Sequence, residues 1–175
     1  MTAVEAYELT TQGGSTDFAR LIDACEAFGP YCLIGGLAVN CYVEPVYTLD
    51  ADLVVIAASL PELTAHLESQ GFKTEAHEHS VNAQAPGGKL RIQFTTDERY
   101  QAFPARSTDA NVLGIRVRVA SREDVTQGKL WAYGDPHPRL SKRKKNKLDL
   151  IRLAEAYPEL KSLYPSELRE QLDRG

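Results

Sequence analysis

Asp50-Ala51-Asp52 opens an apolar run, and Leu33-Ile34-Gly35-Gly36 lies a short way upstream. On a strand, alternate side chains share a face, so Asp50 and Asp52 point the same way. Two carboxylates so placed repel each other and are poorly solvated. A divalent cation relieves both problems, and hard oxygen donors suit Mg²⁺. A Gly-Gly turn brings bare backbone N–H groups close to an anion, because no Cβ blocks the approach. A phosphate cradle beside a two-carboxylate metal site is what phosphoryl or nucleotidyl transfer from a nucleoside triphosphate requires.

The surrounding sequence must position these groups. Residues 31–34 read as a short apolar strand running straight into Gly35-Gly36, and 37–42 as a helix whose positive dipole end faces the turn. Residues 51–57 are almost wholly apolar after Asp52, which predicts a central strand covered on both faces. Upstream, Phe18, Leu21, Ile22, Cys25 and Phe28 have helical spacing over 17–28, with Ser15 or Thr16 as cap. Residues 1–14 read as a polar, frayed lead-in. Downstream, Pro61 opens a helix that Gly71 ends. Strands are expected over 72–77, 89–95 and 112–119, with Gly87-Gly88 in a hairpin turn. Ser121 caps a helix containing Val125, Leu130 and Trp131. A helix follows over 142–156, and Pro165 opens a short last one. The pattern predicts an α+β fold: a mixed β-sheet flanked by helices, with a core over 1–120 and a C-terminal helical extension over 121–175 packed on it as one compact unit.

The 175 residues are 43% apolar, enough for a substantial core. No run approaches the roughly 18–20 apolar residues of a membrane span. No basic start or apolar signal core precedes residue 15. Cys25, Cys32 and Cys41 have no Cys-x-x-Cys spacing and read as reduced, buried thiols of a cytoplasmic protein. The net charge of −4 excludes a generally polyanion-binding chain, yet Lys142, Arg143, Lys144, Lys145 and Lys147 form a local basic run. On a helix, consecutive residues of that run step around the axis, so one subset can face a cleft while the rest face solvent. His77-Glu78-His79 lacks a third ligand at metal-binding spacing and reads as a strand end.

Ile34-Gly35-Gly36 followed by Asp50-Ala51-Asp52 resembles the nucleotidyltransferase superfamily related to DNA polymerase β. Lys129 with Ala132, then Asn146-Lys147-Leu148-Asp149-Leu150 at the end of the basic run, resembles the AbiEii-type toxin branch. The resemblance implies the nucleotidyltransferase fold and a Mg²⁺-dependent transfer of a nucleoside monophosphate from an NTP. The acceptor would be a tRNA end, a protein hydroxyl or a small molecule such as an antibiotic. It also implies roles. Asp50 and Asp52 hold the metal, Gly35, Gly36 and Lys129 hold the phosphates, and Asp149 assists the acceptor side. A bacterial toxin with a cognate antitoxin is the biological setting that goes with this branch. Two positions depart from the pattern. Gln93 stands where a third strand carboxylate is expected, with Asp97 just beyond it, and Val46 stands where many members have Arg. Those departures favour a rival reading, a non-catalytic nucleotide- or nucleic-acid-binding module. An antitoxin-like partner-binding protein is a third.

Overall fold

The computed structural model describes residues 1–175. In chain order the helices and strands are α1 Ala3–Thr11, α2 Gly14–Ala27, β1 Tyr31–Ile34, α3 Gly35–Val39, β2 Asp50–Val55, α4 Leu60–Ser69, β3 Lys73–Ala76, β4 Ser80–Gln84, β5 Arg91–Thr95, β6 Thr108–Val112, β7 Ile115–Val119, α5 Arg122–Gly134, α6 Leu140–Ala156 and α7 Ser166–Arg174. Seven strands make one mixed sheet in the order β3-β4-β5-β2-β1-β7-β6. β2 runs parallel to β5, and β1 runs parallel to β7; the remaining neighbours are antiparallel. No helix is long and apolar enough to cross a membrane.

β2 lies mid-sheet because Leu53, Val54 and Val55 are all buried, which only a strand covered on both faces achieves. On one side Phe18, Leu21, Ile22 and Cys25 of α2 join the core. Val125 of α5, Leu150 and Leu153 of α6, and Leu168 of α7 belong to the same apolar cluster as Leu53 and Phe94. The C-terminal helices therefore share one apolar core with the sheet. Each fully buried Leu or Phe contributes about 1.5–3 kcal/mol relative to exposure.

Five features differ from expectation. The lead-in is ordered as α1. Thr2 Oγ1 accepts from Glu5 N at 3.1 Å and Glu5 Oε2 accepts from Thr2 N at 2.6 Å, a reciprocal capping box. Tyr7 of α1 is buried, and its hydroxyl donates to the Thr48 carbonyl at 3.0 Å, which ties α1 to the segment entering β2. Ser15 and Thr16 do not cap α2. The cap is Gly13 at φ 93°, and both hydroxyls donate to Glu8, holding its carboxyl down at about 2. The helix after the glycine turn is short, ending at Val39. The expected strand over 112–119 is a hairpin: Leu113 at φ 52° and Gly114 at φ 80° turn the chain, and Val112 pairs with Ile115. An unexpected strand, β4, lies between β3 and β5, and the Gly87-Gly88 turn connects it to β5.

Candidate functional site

β1 delivers the chain into Gly35 with Ile34 paired to Asp52. Gly35 sits at φ 70°, and a Cβ there would lie 2.3 Å from Asp52 Oδ2. Only glycine admits both this backbone and the carboxylate packed against it. Gly36 is different, because its missing Cβ would make ordinary contact with Thr48, 3.6 Å from Oγ1. Gly35→Ala is therefore expected to lose about 1–3 kcal/mol of stability. Gly36→Val is expected to weaken nucleotide binding more than folding, if the turn backbone takes a phosphate as its position predicts. Thermal unfolding and titration with a fluorescent ATP analogue separate the two. A Gly36→Val protein with full affinity would leave the glycines a packing role only.

Gly35, Gly36, Asp50, Asp52 and Lys129 line one cavity of about 370 Å³. Thr48, Lys142, Lys145 and Asn146 complete that side. Burial pushes the Asp52 carboxyl above its ordinary range. The Lys129 ammonium opposes this, the like charge of Asp50 adds to it, and Lys142 and Lys145 oppose it more weakly. Asp50 is partly exposed, and its Oδ1 accepts from Arg91 Nε at 2.7 Å.

Lys129 reaches the cavity from α5 and is only 7% exposed. Its Nζ lies 2.8 Å from Asp149 Oδ2 but out of line for a hydrogen bond. It donates instead to Asn146 Oδ1 at 3.2 Å. Asp149 Oδ1 accepts from Arg152 Nη1 at 2.9 Å, and Arg152 Nη2 donates to the Glu44 carbonyl. Asp149 is buried and does not border the cavity; it stands behind Lys129. The resemblance gives it an acceptor-side role, and its placement puts it in position to hold Lys129. Asn146 Nδ2 is buried without a hydrogen-bond partner.

Parallel pairing of β2 with β5 sets Gln93 in register with Asp52 and Arg91 in register with Asp50. The amide thus occupies the neighbouring-strand position nearest the pair. Asp97 does not replace it as a free carboxylate. Its Oδ1 accepts from Arg99 N and its Oδ2 from Arg99 Nη2, both at 2.9 Å, and these bonds hold its carboxyl low. The donor set fits Mg²⁺ on chemical grounds. Two hard carboxylates share a strand face, an amide oxygen can serve beside them, and Mg²⁺ completes its shell with water and substrate phosphate. His77 is occupied differently, with Nε2 3.2 Å from Asn82 Nδ2, and no cluster of three or more His, Cys, Asp or Glu side chains assembles a further centre. Burial pushes the Cys32 thiol to about 12 and Cys41 to about 11, so neither is a thiolate nucleophile at neutral pH.

Several cavity residues carry no signal of their own in the sequence. Within the basic run the cleft-facing members are Lys142 and Lys145, and Lys145 Nζ donates to Thr48 Oγ1 at 3.0 Å. Arg143 and Lys144 face solvent. The cavity lining also includes Tyr100, packed edge-on against Trp131 with ring centres 5.0 Å apart, and Arg99, whose guanidinium lies 5.1 Å from the Trp131 ring. Gly128 leaves room there, since a Cβ would meet Tyr100 at 3.2 Å.

No family model matches the chain, and no curated protein matches it in sequence. Solved structures do match in three dimensions. ANT(2")-Ia in complex with adenylyl-2"-tobramycin has a TM-score of 0.63 at 18% identity, covering 91% of this chain and 97% of its own. The solution structure of the antibiotic-resistance factor ANT(2'')-Ia gives 0.54 at 20% identity, covering 90% of both chains. An antigenic nucleotidyltransferase-like protein from Paracoccidioides brasiliensis gives 0.51 at 20% identity, covering 91% of both. At these identities the likeness is one of fold, and the chain has the nucleotidyltransferase fold.

Proposed function

We propose that this protein is a Mg²⁺-dependent nucleotidyltransferase that moves a nucleoside monophosphate from an NTP to an acceptor hydroxyl and releases pyrophosphate. The observation that carries the reading is the convergence of Gly35, Gly36, Asp50, Asp52 and Lys129 on one cavity. Asp50 and Asp52 would hold the metal, which supplies charge neutralisation at the triphosphate. The Gly35-Gly36 backbone and the Lys129 ammonium orient the phosphates, with Lys142 and Lys145 adding positive potential. Asp149 and Asn146 fix the Lys129 ammonium, and Arg152 fixes Asp149. The Tyr100 and Arg99 wall offers a flat, polarisable surface for the nucleobase. Phosphoryl-group transfer passes through a loose transition state, so positioning and charge account for most of the catalysis.

The acceptor classes in this reading are an RNA end such as tRNA, a protein hydroxyl or a small molecule. The tobramycin adduct of the structural neighbour supports the last. The resemblance to AbiEii-type toxins extends the reading to a cytoplasmic bacterial toxin restrained by an antitoxin. The protein would be incubated with α-labelled NTPs and Mg²⁺ in the presence of bulk tRNA, a protein extract or tobramycin. Label is expected on one acceptor, with stoichiometric pyrophosphate. The neutral Gln93 beside Asp52 favours a second reading, a nucleotide-binding protein without turnover. Tight NTP binding with no pyrophosphate release from any mixture would establish that reading and overturn ours.

A further inference from the structure

We infer that the second cavity, on the far side of Asp50 and Asp52, is the acceptor subsite, and that it takes a hydroxyl acceptor carrying phosphate groups. This inference rests on the transfer reading above for its chemistry, though not for its binding test. The cavity encloses about 760 Å³ and shares Asp50, Asp52, Gln93 and Lys142 with the first. An acceptor seated in it thus meets the triphosphate across the two carboxylates.

The floor of the cavity is built by register. Asp52 pairs with Gln93, Gln93 with Asn82, and Asn82 with Glu75, giving one row of polar side chains across four strands. A second row runs beside it, with Asp50 paired to Arg91 and Gln84 to Lys73. Residues in register share a face of the sheet, so both rows point into the same space. Arg139 and Lys142 border that space from the start of α6.

Charge selects the ligand class. Lys73, Arg91, Arg139 and Lys142 line the cavity, and apart from the aspartate pair its only acid is Glu75. Glu75 is exposed, its oxygen 3.7 Å from His77 Nε2. Arg91 is engaged by Asp50, whereas Lys73, Arg139 and Lys142 have no carboxylate partner. With the aspartates committed to a metal, the cavity is strongly positive. It repels an amine-rich acceptor and attracts an anionic one. Neighbouring strands lie about 4.8 Å apart, so Lys73 on β3 is about 14 Å from the Asp50 edge, three strand spacings away. An acceptor touching both extends further than a single sugar. In the transfer step, the acceptor hydroxyl oxygen bonds to the α-phosphorus. Pyrophosphate leaves with the electron pair of the broken bond, and the hydroxyl proton passes to water.

The shared chemistry could come from a nucleic-acid end or from a phosphorylated metabolite. Two probes distinguish them: a short single-stranded oligoribonucleotide and glucose 6-phosphate. Binding of each is measured at several salt concentrations without NTP, for the wild type and for Lys73→Glu/Arg139→Glu. Both substituted residues are exposed, lie on different elements and are absent from the nucleotide cavity. The variant should keep the wild-type melting temperature and its affinity for a fluorescent ATP analogue. It should bind the oligoribonucleotide at least about tenfold more weakly, with a salt slope reduced by about one to two. Loss confined to glucose 6-phosphate would assign the subsite to a metabolite and equally support it. Unchanged binding of both probes, or competition by spermine in place of either anion, overturns the inference. A protein that shows the predicted anion binding but no NTP turnover would keep the subsite and lose only the transfer reading.

Discussion

Asp52→Asn is expected to abolish nucleotidyl transfer and, at the same time, to raise the thermal stability of the metal-free protein. The loss follows from the proposed metal role. Metal-mediated charge stabilisation is worth several kcal/mol, so transfer should fall by about three orders of magnitude or more. The gain follows from burial. The ordinary carboxyl value is 3.8, and in the folded protein Asp52 is raised above it, chiefly by desolvation and against the pull of Lys129. Above the ordinary value the folded state holds a proton that the unfolded state has released, so stability falls as pH rises from there through the raised folded value, and ionising this carboxyl costs stability. Asparagine removes the ionisation and flattens the curve above about pH 4. For a chain of this size each kcal/mol recovered raises the midpoint by about 2–4 °C. Calorimetry with EDTA and with Mg²⁺ provides the check. Mg²⁺ should raise the wild-type midpoint and leave the variant's unmoved. Wild-type turnover by Asp52→Asn would remove Asp52 from the metal site.

Lys129→Ala is expected to damage both folding and nucleotide binding, and the two losses are separable. Without the ammonium, Asp149 keeps only Arg152 as a charged partner in a buried setting, and Asn146 loses its donor. Breaking a buried pair by removing one partner costs about 3–5 kcal/mol, and the surviving Arg152 contact puts this case at the lower end. The midpoint should drop by about 6–12 °C. Lys129→Met combined with Asp149→Leu and Arg152→Met removes all three charges and fills the space with apolar atoms, so most of the stability should return. Affinity for the triphosphate should not return, because the phosphate-facing charge is still missing. Asp149→Asn leaves Lys129 in place and should keep measurable turnover with a looser phosphate grip, seen as a raised KM for NTP. Complete loss of turnover in a folded Asp149→Asn protein would mean that Asp149 acts directly, as the resemblance implies, and not through Lys129.

Local signals fixed the centre of this molecule. The apolar β1, the Gly35-Gly36 turn and the alternating Asp50 and Asp52 lie within one stretch of chain, and period-two geometry suffices to align the carboxylates. Helices α4, α5, α6 and α7 were equally legible from apolar spacing, Pro61, Ser121 and Pro165. Where reading failed, weak or divided signals were the cause. In β4 only Val81 and Ala83 are buried, so its alternation is carried by two modest apolar residues after a polar loop. In the β6–β7 hairpin a Leu occupies the left-handed turn position where Asn or Asp usually announces one. α1 buries only Tyr7 and Thr11, yet its Thr2-Ala3-Val4-Glu5 capping box stood in plain view.

The sequence by itself thus determined the α+β class, the Gly35-Gly36 turn and the pair of carboxylates on one strand face. The tertiary structure decided what stands around them. Register between β2 and β5 sets Arg91 against Asp50 and Gln93 against Asp52, and a slip of one residue would turn both away from the site. The packing of α5 against α6 buries Lys129 over Asp149 and selects Lys142 and Lys145 from an otherwise uniform basic run. These are pairings between segments far apart in the chain, and no local periodicity encodes them. They form because burying the apolar faces of β2, α5 and α6 in one core gathers these polar residues at one end of the sheet.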